Sequence, residues 1–145
     1  MVVCYVDGVF KALHEVSLPL SDLAFQRGVG IFETIRTYDR RPMALSPHLE
    51  RLASSAAGCR IALPLPLEDM KGIIRKGIDL VDGEVKIRPF ITGGDAIDNE
   101  LGFTRPRLFI FFEPLCPLPE KDFREGASLH PVDQTGDAQV RSRGV

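Results

Sequence analysis

The sequence has no tryptophan, and only three cysteines and three histidines among 145 residues. Cys4, Cys59 and Cys116 are odd in number and far apart, with no Cys-x-x-Cys pair. They give no disulfide framework and no redox motif, and read as buried free thiols of a reducing cytoplasm. His14, His48 and His130 lack metal-ligand spacing, so no metal site is expected. No apolar run is long enough to span a bilayer. Met1–Tyr5 has no basic region ahead of its short apolar run, so it does not read as a signal peptide. A cytoplasmic protein with no membrane partner is expected. The net charge of −2 gives no reason to expect a nucleic-acid partner. Also absent are a Ser/His/Asp pattern, Gly-x-Ser-x-Gly, a P-loop and Gly-x-Gly-x-x-Gly.

What is present is enough for one domain with a real core. Val2–Val6, Asp7-Gly8 and Val9-Phe10 form a hairpin signal. His14–Leu20 reads as a second extended piece. Ser21–Gly30 reads as a loop with two close glycines, leading into Ile31–Tyr38. There, Ile31, Glu33, Ile35 and Thr37 share one face, and Phe32, Thr34, Arg36 and Tyr38 the other. Ser46-Pro47 reads as the start of a helix ending at Gly58, with Leu49, Leu52, Ala53 and Ala56 as its stripe. A second amphipathic helix is expected over Leu67–Val81, weakened by Gly72 and Gly77. A strand over Glu84–Thr92 places Lys86 and Arg88 on one face. Asp95–Arg107 reads as an irregular loop. Leu108–Phe112 is continuously apolar, as in a strand buried on both faces. Pro114, Pro117 and Pro119 have the composition of a linker, and Ser128–Val132 restarts as a strand. The organisation is α+β: residues 1–113 as a small domain, 114–125 as a linker, and 126–145 as the start of a second domain. A lone strand after a linker makes the chain read as a fragment of a longer protein.

The chemistry candidates are arginines. Arg51, on the first helix, offers a planar fork suited to phosphate or carboxylate, although a lone helical arginine is usually only solvated. Arg36 and Arg88 sit on strands, where an unpaired charge is costly. Glu33, Glu84 and Asp95 are available partners, and pairing is as good a reading as ligand binding. Arg27 lies in the glycine loop. Lys86 and Arg88 make a basic strand face beside Gly93-Gly94. Residue chemistry alone therefore reaches only an anion-binding α+β domain.

Several pieces together resemble one family: Val6-Asp7-Gly8, Ser21-Asp22 to Gly28, Phe32-Glu33-Thr34-Ile35-Arg36, Pro47-His48-Leu49-Glu50-Arg51-Leu52 and Ile87-Arg88-Pro89. In order and spacing the chain is similar to the class IV aminotransferases, the fold-type IV pyridoxal-phosphate enzymes. The group includes branched-chain and D-amino-acid aminotransferases and 4-amino-4-deoxychorismate lyases. The resemblance implies the small N-terminal domain of a D-amino-acid-aminotransferase-like fold: a mixed sheet with two helices, plus the first strand of the second domain. It implies that Arg51 binds the cofactor phosphate and that Phe32 lines the substrate pocket. Arg36 and Arg88 would lie near the substrate carboxylate or in its supporting network. Arg27 and Lys86, both candidates for binding substrate, replace aromatic residues, which counts against a standard branched-chain enzyme, and a cation at Arg27 would suit a carboxylated substrate.

The resemblance also implies a Schiff-base lysine soon after the strand matching Ser128–Val132. The tail has none: Val140-Arg141-Ser142 places Arg141 at that position, and Lys11, Lys71, Lys76, Lys86 and Lys121 do not match it. Arginine cannot replace that amine. Either the lysine lies beyond Val145 or it has been lost. The expected activity is pyridoxal-phosphate-dependent transfer of an amino group from an amino acid to a 2-oxo acid, in a homodimer. The chain alone is expected to be inactive and not to hold the cofactor in the family's way. The alternatives are the lyase and a non-catalytic truncated relative acting as a dimerising domain.

Overall fold

A computed structural model describes residues 2–97, 100–116, 118–126 and 128, without the side chains of 96–104. The expected strand from residue 129 onward, and Arg141, lie outside the described residues. The chain divides into two units, Met1–Leu115 and Cys116–Val145. Within the second, α4 (Glu120–Glu125) is a short helix inside the stretch read as a linker.

The first unit opens with β1 (Val3–Val6) and β2 (Val9–Ala12), in register through Val6 opposite Val9. Asp7 and Gly8 both have positive φ, the type I′ geometry that matches strand twist. The piece expected to extend from His14 instead starts with a 3₁₀ turn over Leu13–Glu15. Glu15 Oε2 accepts from the Ala12 N–H at 3.0 Å, which folds the chain back there. The stretch read as a glycine loop contains helix α1 (Leu23–Arg27). Asp22 caps it, accepting from the Ala24 N–H at 2.8 Å, and Gly28 ends it at φ 67°, a left-handed conformation that costs glycine nothing.

Next come β3 (Gly30–Phe32), β4 (Ile35–Tyr38) and β5 (Arg41–Pro42). Helix α2 (Leu45–Gly58) starts one residue before Ser46, and its N-cap is Ala44 with no side-chain cap. Helix α3 covers Leu67–Ile78. β6 (Val85–Thr92) and β9 (Leu108–Pro114) are the central strands. Between them, the stretch expected to be irregular forms a hairpin of β7 (Asp95–Ile97) and β8 (Glu100–Thr104).

The main sheet runs β2-β1-β9-β6-β4-β5, with β3 also paired to β6. Every pairing among the described residues is antiparallel, where a mixed sheet was expected. β4 and β5 form a hairpin, and the α2–α3 crossover then returns β6 in the direction of β5 on the other side of β4, so both neighbours of β4 run antiparallel to it.

The sheet has two unlike faces. Val3, Ile31, Ile35, Ile87, Ile91, Ile110 and Phe112 pack against Leu49, Leu52, Met70 and Ile74 of the two helices. This is the core, and the stripe expected on α2 supplies Leu49, Leu52 and Ala56 to it. Gly77 permits the closest approach, because a Cβ there would lie 2.1 Å from Phe112 Cζ. Its weakness as a helix former is thus the condition for packing on β9. Gly77→Ala should lower stability by about 1–3 kcal/mol through overpacking, despite alanine's better helix propensity. A urea midpoint equal to or above the parent's would contradict this. The other face carries Cys4, Val6 and Phe109, with Val16, Phe90 and Phe111 against them. Only Cys4 is a buried thiol. Cys59 and Cys116 are exposed, contrary to the expectation for all three.

Candidate functional site

The candidate side chains gather on and beside this second face. Strand register sets them in rows. Arg36 stands opposite Lys86, and Lys86 opposite Glu113. Arg88 stands opposite Phe111, and Phe111 opposite Cys4. Phe32 stands opposite Phe90, and Phe90 opposite Phe109. One end of the face is therefore cationic and the other aromatic, with Arg88 between. Phe32, Arg88, Phe90 and Phe111 line a groove of about 310 Å³. Phe32 and Phe90 lie stacked, their ring centroids 6.5 Å apart, and Phe32 is 62% exposed. A large aromatic left open beside a cation suits an apolar ligand with a charged end. At the end of the row of Arg88 and Phe111, burial pushes the Cys4 thiol up to about 11, so it is no nucleophile at neutral pH.

Pairing of Arg36 and Arg88 with Glu33, Glu84 or Asp95 was one of two readings. Glu33 and Asp95 are engaged by Arg51 and Arg107, and Arg36 acts on Glu84 only as a nearby charge, without a direct ion pair. Arg88 Nη2 donates to Glu113 Oε1 at 2.7 Å, and Lys86 Nζ lies 2.5 Å from Glu113 Oε2. Arg36 makes no ion pair among the described residues, and its guanidinium lies 4.0 Å from the Tyr38 ring centre. Glu84 accepts from the Thr37 hydroxyl. Arg27, at the exposed end of α1, is joined to none of these groups by a described hydrogen bond or ion pair.

On the helix side, Glu33 between β3 and β4 meets α2. Glu33 is 7% exposed. Its Oε1 accepts from Arg51 Nε at 2.6 Å, and its Oε2 from Arg51 Nη2. His48 Nδ1 lies 2.9 Å from Glu33 Oε2 and 3.1 Å from Arg51 Nη2. It can donate to the carboxylate or accept from the guanidinium, but not both. Three residues separate His48 from Arg51, which puts both on one side of the helix. Glu33 thus holds Arg51 by one edge, while Arg51 Nη1 has no partner among the described residues and the side chain is 63% exposed.

Hydrogen bonds from Arg51, and then His48, hold the Glu33 carboxyl below its usual value against the opposing effect of burial. A carboxylate with a depressed folded pKa stabilises the fold above its unfolded value and loses that contribution as pH falls through the folded one. Glu33→Gln should therefore flatten the decline of stability below about pH 4.3. Denaturant midpoints measured against pH will check this, and an unchanged slope would remove Glu33 from the acid response.

A second ionic cluster went unread in the sequence. Asp22 is fully buried. Its Oδ2 accepts from Arg107 Nη1 at 2.6 Å and from the Thr92 hydroxyl at 2.9 Å, while Oδ1 caps α1. Arg107 Nη2 also reaches Asp95 Oδ2 at 2.7 Å, and Ser21 donates to Asp95 Oδ1. Hydrogen bonding from Arg107 and then Ser21 holds the Asp95 carboxyl below its usual value. This cluster ties α1 to β6 and to the start of β7. The only signal for it in the sequence was Asp22 ahead of Leu23-Ala24, an N-cap pattern.

Residues 30–137 match the family described as Amino-transferase class IV. The chain belongs to the class IV aminotransferase family. Among curated members, a probable branched-chain-amino-acid aminotransferase of Thermotoga maritima is 31% identical over 84 residues, covering 58% of this chain and 31% of that one. The aminodeoxychorismate lyase of Bacillus subtilis is 27% identical over 142 residues, covering 94% of this chain and 48% of the lyase. A fold IV-transaminase from Curtobacterium pusillum superposes with a TM-score of 0.69 at 25% identity, over 81% of this chain and 44% of that one. This family member thus spans less than half the length of each of these relatives. Its antiparallel sheet with helices on one face is the N-terminal part of the fold-type IV transaminase architecture. Among the described residues, no group of His, Cys, Asp and Glu could hold a metal ion, and no helix is long and apolar enough to cross a membrane.

Proposed function

We propose that this chain is the N-terminal portion of a pyridoxal-phosphate-dependent aminotransferase that moves an amino group from an amino acid to a 2-oxo acid. The observation that carries the reading is the exposed sheet face, with its aromatic groove and cationic end, joined through β3–β4 to an arginine oriented by a buried glutamate. When bound, pyridoxal phosphate supplies the electron-withdrawing ring that amino-group transfer needs. Arg51 fits its phosphate: two donors are fixed by Glu33, the side chain is largely exposed, and Nη1 has no partner among the described residues. Phe32, with Phe90 and Phe111, would exclude water from the substrate's side chain. Arg36, Lys86, Arg88 and, more remotely, Arg27 would attract its carboxylate. In this reading Arg141 takes the sequence position of the family's lysine, and none of the chain's own five lysines supplies the amine that the cofactor requires. A homodimer in the cytoplasm, taking small amino and 2-oxo acids, completes the reading.

The lyase is the second reading. The Bacillus subtilis lyase aligns over 94% of this chain, and the cationic face suits a carboxylated substrate. Pyruvate release from aminodeoxychorismate without a 2-oxo acid acceptor would replace the aminotransferase reading, whereas amino transfer between amino acids and 2-oxo acids would uphold it. For the chain as it stands, pyridoxal phosphate followed by borohydride should leave no adduct on any of its five lysines. A lysine-linked adduct by mass spectrometry would overturn the expected inactivity of the chain alone. The intact mass of the protein from its source decides whether a lysine-bearing segment accompanies it.

A further inference from the structure

Glu113 is the one acidic side chain in the rows of the open face, and nothing in the sequence pointed to it. It lies at the end of β9, is 20% exposed on its side chain, and receives both Lys86 and Arg88. Those cations are more open, at 39% and 44%. They therefore lie nearer solvent than the carboxylate that joins them. Of the three cations on the face, Arg36 alone has no carboxylate in ion-pair reach among the described residues.

An isolated cross-strand ion pair at a surface contributes little to stability. One carboxylate gathering two cations from a single strand, one row from an apolar groove, has a further consequence. The positions on Lys86 and Arg88 that best suit a carboxylate are already filled from within the protein. Resting on the aminotransferase reading, we infer that Glu113 sets the charge class of the substrate. Its carboxylate stands in for a second substrate carboxylate, so the face takes monocarboxylic amino and 2-oxo acids over dicarboxylic ones. Glu113 is thus a positioning residue, acting through Lys86 and Arg88.

The test compares 2-oxoglutarate with 2-oxopentanoate, which has the same number of carbons but no distal carboxylate. Both are titrated into the 145-residue chain, following the amide signals of Arg36, Lys86 and Arg88 by NMR. Glu113→Gln should tighten 2-oxoglutarate about tenfold, the effect of one freed charge-assisted hydrogen bond, and change 2-oxopentanoate by less than about threefold. Glu113→Asp keeps the charge and should keep the parent's ratio. Equal changes for both acids, a loss of both, or no shift with either acid in parent and variant would overturn the inference. Thermal unfolding of each variant identifies a purely structural effect, in which both ligands weaken as the midpoint falls. The reading of Arg51 fails separately, through a pyridoxal-phosphate titration that does not involve Glu113.

Discussion

Arg107→Met should destabilise the first unit by roughly 3–5 kcal/mol, because it strips the charged partner from a buried carboxylate. Asp22 is fully buried. Its remaining partners, the Thr92 hydroxyl and the Ala24 N–H, are neutral dipoles and cannot replace a guanidinium. The damage should spread in a defined way: α1 loses its fixed cap, and the start of β7 loses the tie from Arg107 to Asp95. Amide exchange should accelerate at Leu23–Arg27 before it does so in β9. The double variant Asp22→Asn with Arg107→Met removes the orphaned charge along with its partner, and should recover part of the loss. A cost below about 1 kcal/mol for the single variant would mean that water reaches Asp22 easily and that the cluster is not a clamp.

Glu33→Gln should weaken pyridoxal phosphate roughly 10–100-fold, the equivalent of about 1.5–3 kcal/mol for a charge-assisted hydrogen bond. The amide keeps the volume of the carboxyl but cannot accept at both oxygens, so Arg51 loses its fixed edge. Arg51 would then sample many rotamers, and its guanidinium would have to be ordered by the ligand. The Arg51 Nε signal in the 145-residue chain reports this directly: in the parent it should be sharp and shifted by the carboxylate, and in the variant averaged toward that of a free side chain. Inorganic phosphate is a simpler probe of the same effect. Equal affinity in parent and variant would leave Glu33 as a structural acid only.

Local rules explain which parts of this architecture could be read beforehand. The first hairpin follows from Asp7-Gly8, because its turn chemistry is contained in two residues. β9 follows from an unbroken apolar run, and the alternation through Ile31–Tyr38 matches the buried and exposed sides observed. Helix α1 was hidden because five residues are too few to show a 3.6-residue period. The β7–β8 hairpin was hidden because its strands are short, mix polar with apolar residues and lie beside glycines. Partner choice was the least legible. Glu33 could be seen to be out of place on a core face, but its partners are Arg51, 18 residues on, and His48, 15 residues on. Asp22 and Arg107 lie 85 residues apart. A capping motif can be read from neighbours in the chain, whereas an ion pair of that span exists only once the sheet has assembled.

The order of the sheet bears on how the protein is made. β1 is made before every other strand of its unit and β9 after them all, yet they are neighbours, with Val3 opposite Phe112. Before Leu108 emerges, the β1–β2 hairpin has no strand to join, and β6 with β3, β4 and β5 forms a separate piece with an open edge. The unit closes in one late step that brings together its two ends, so a message cut shortly before β9 would yield two sticky half-sheets and no small stable domain.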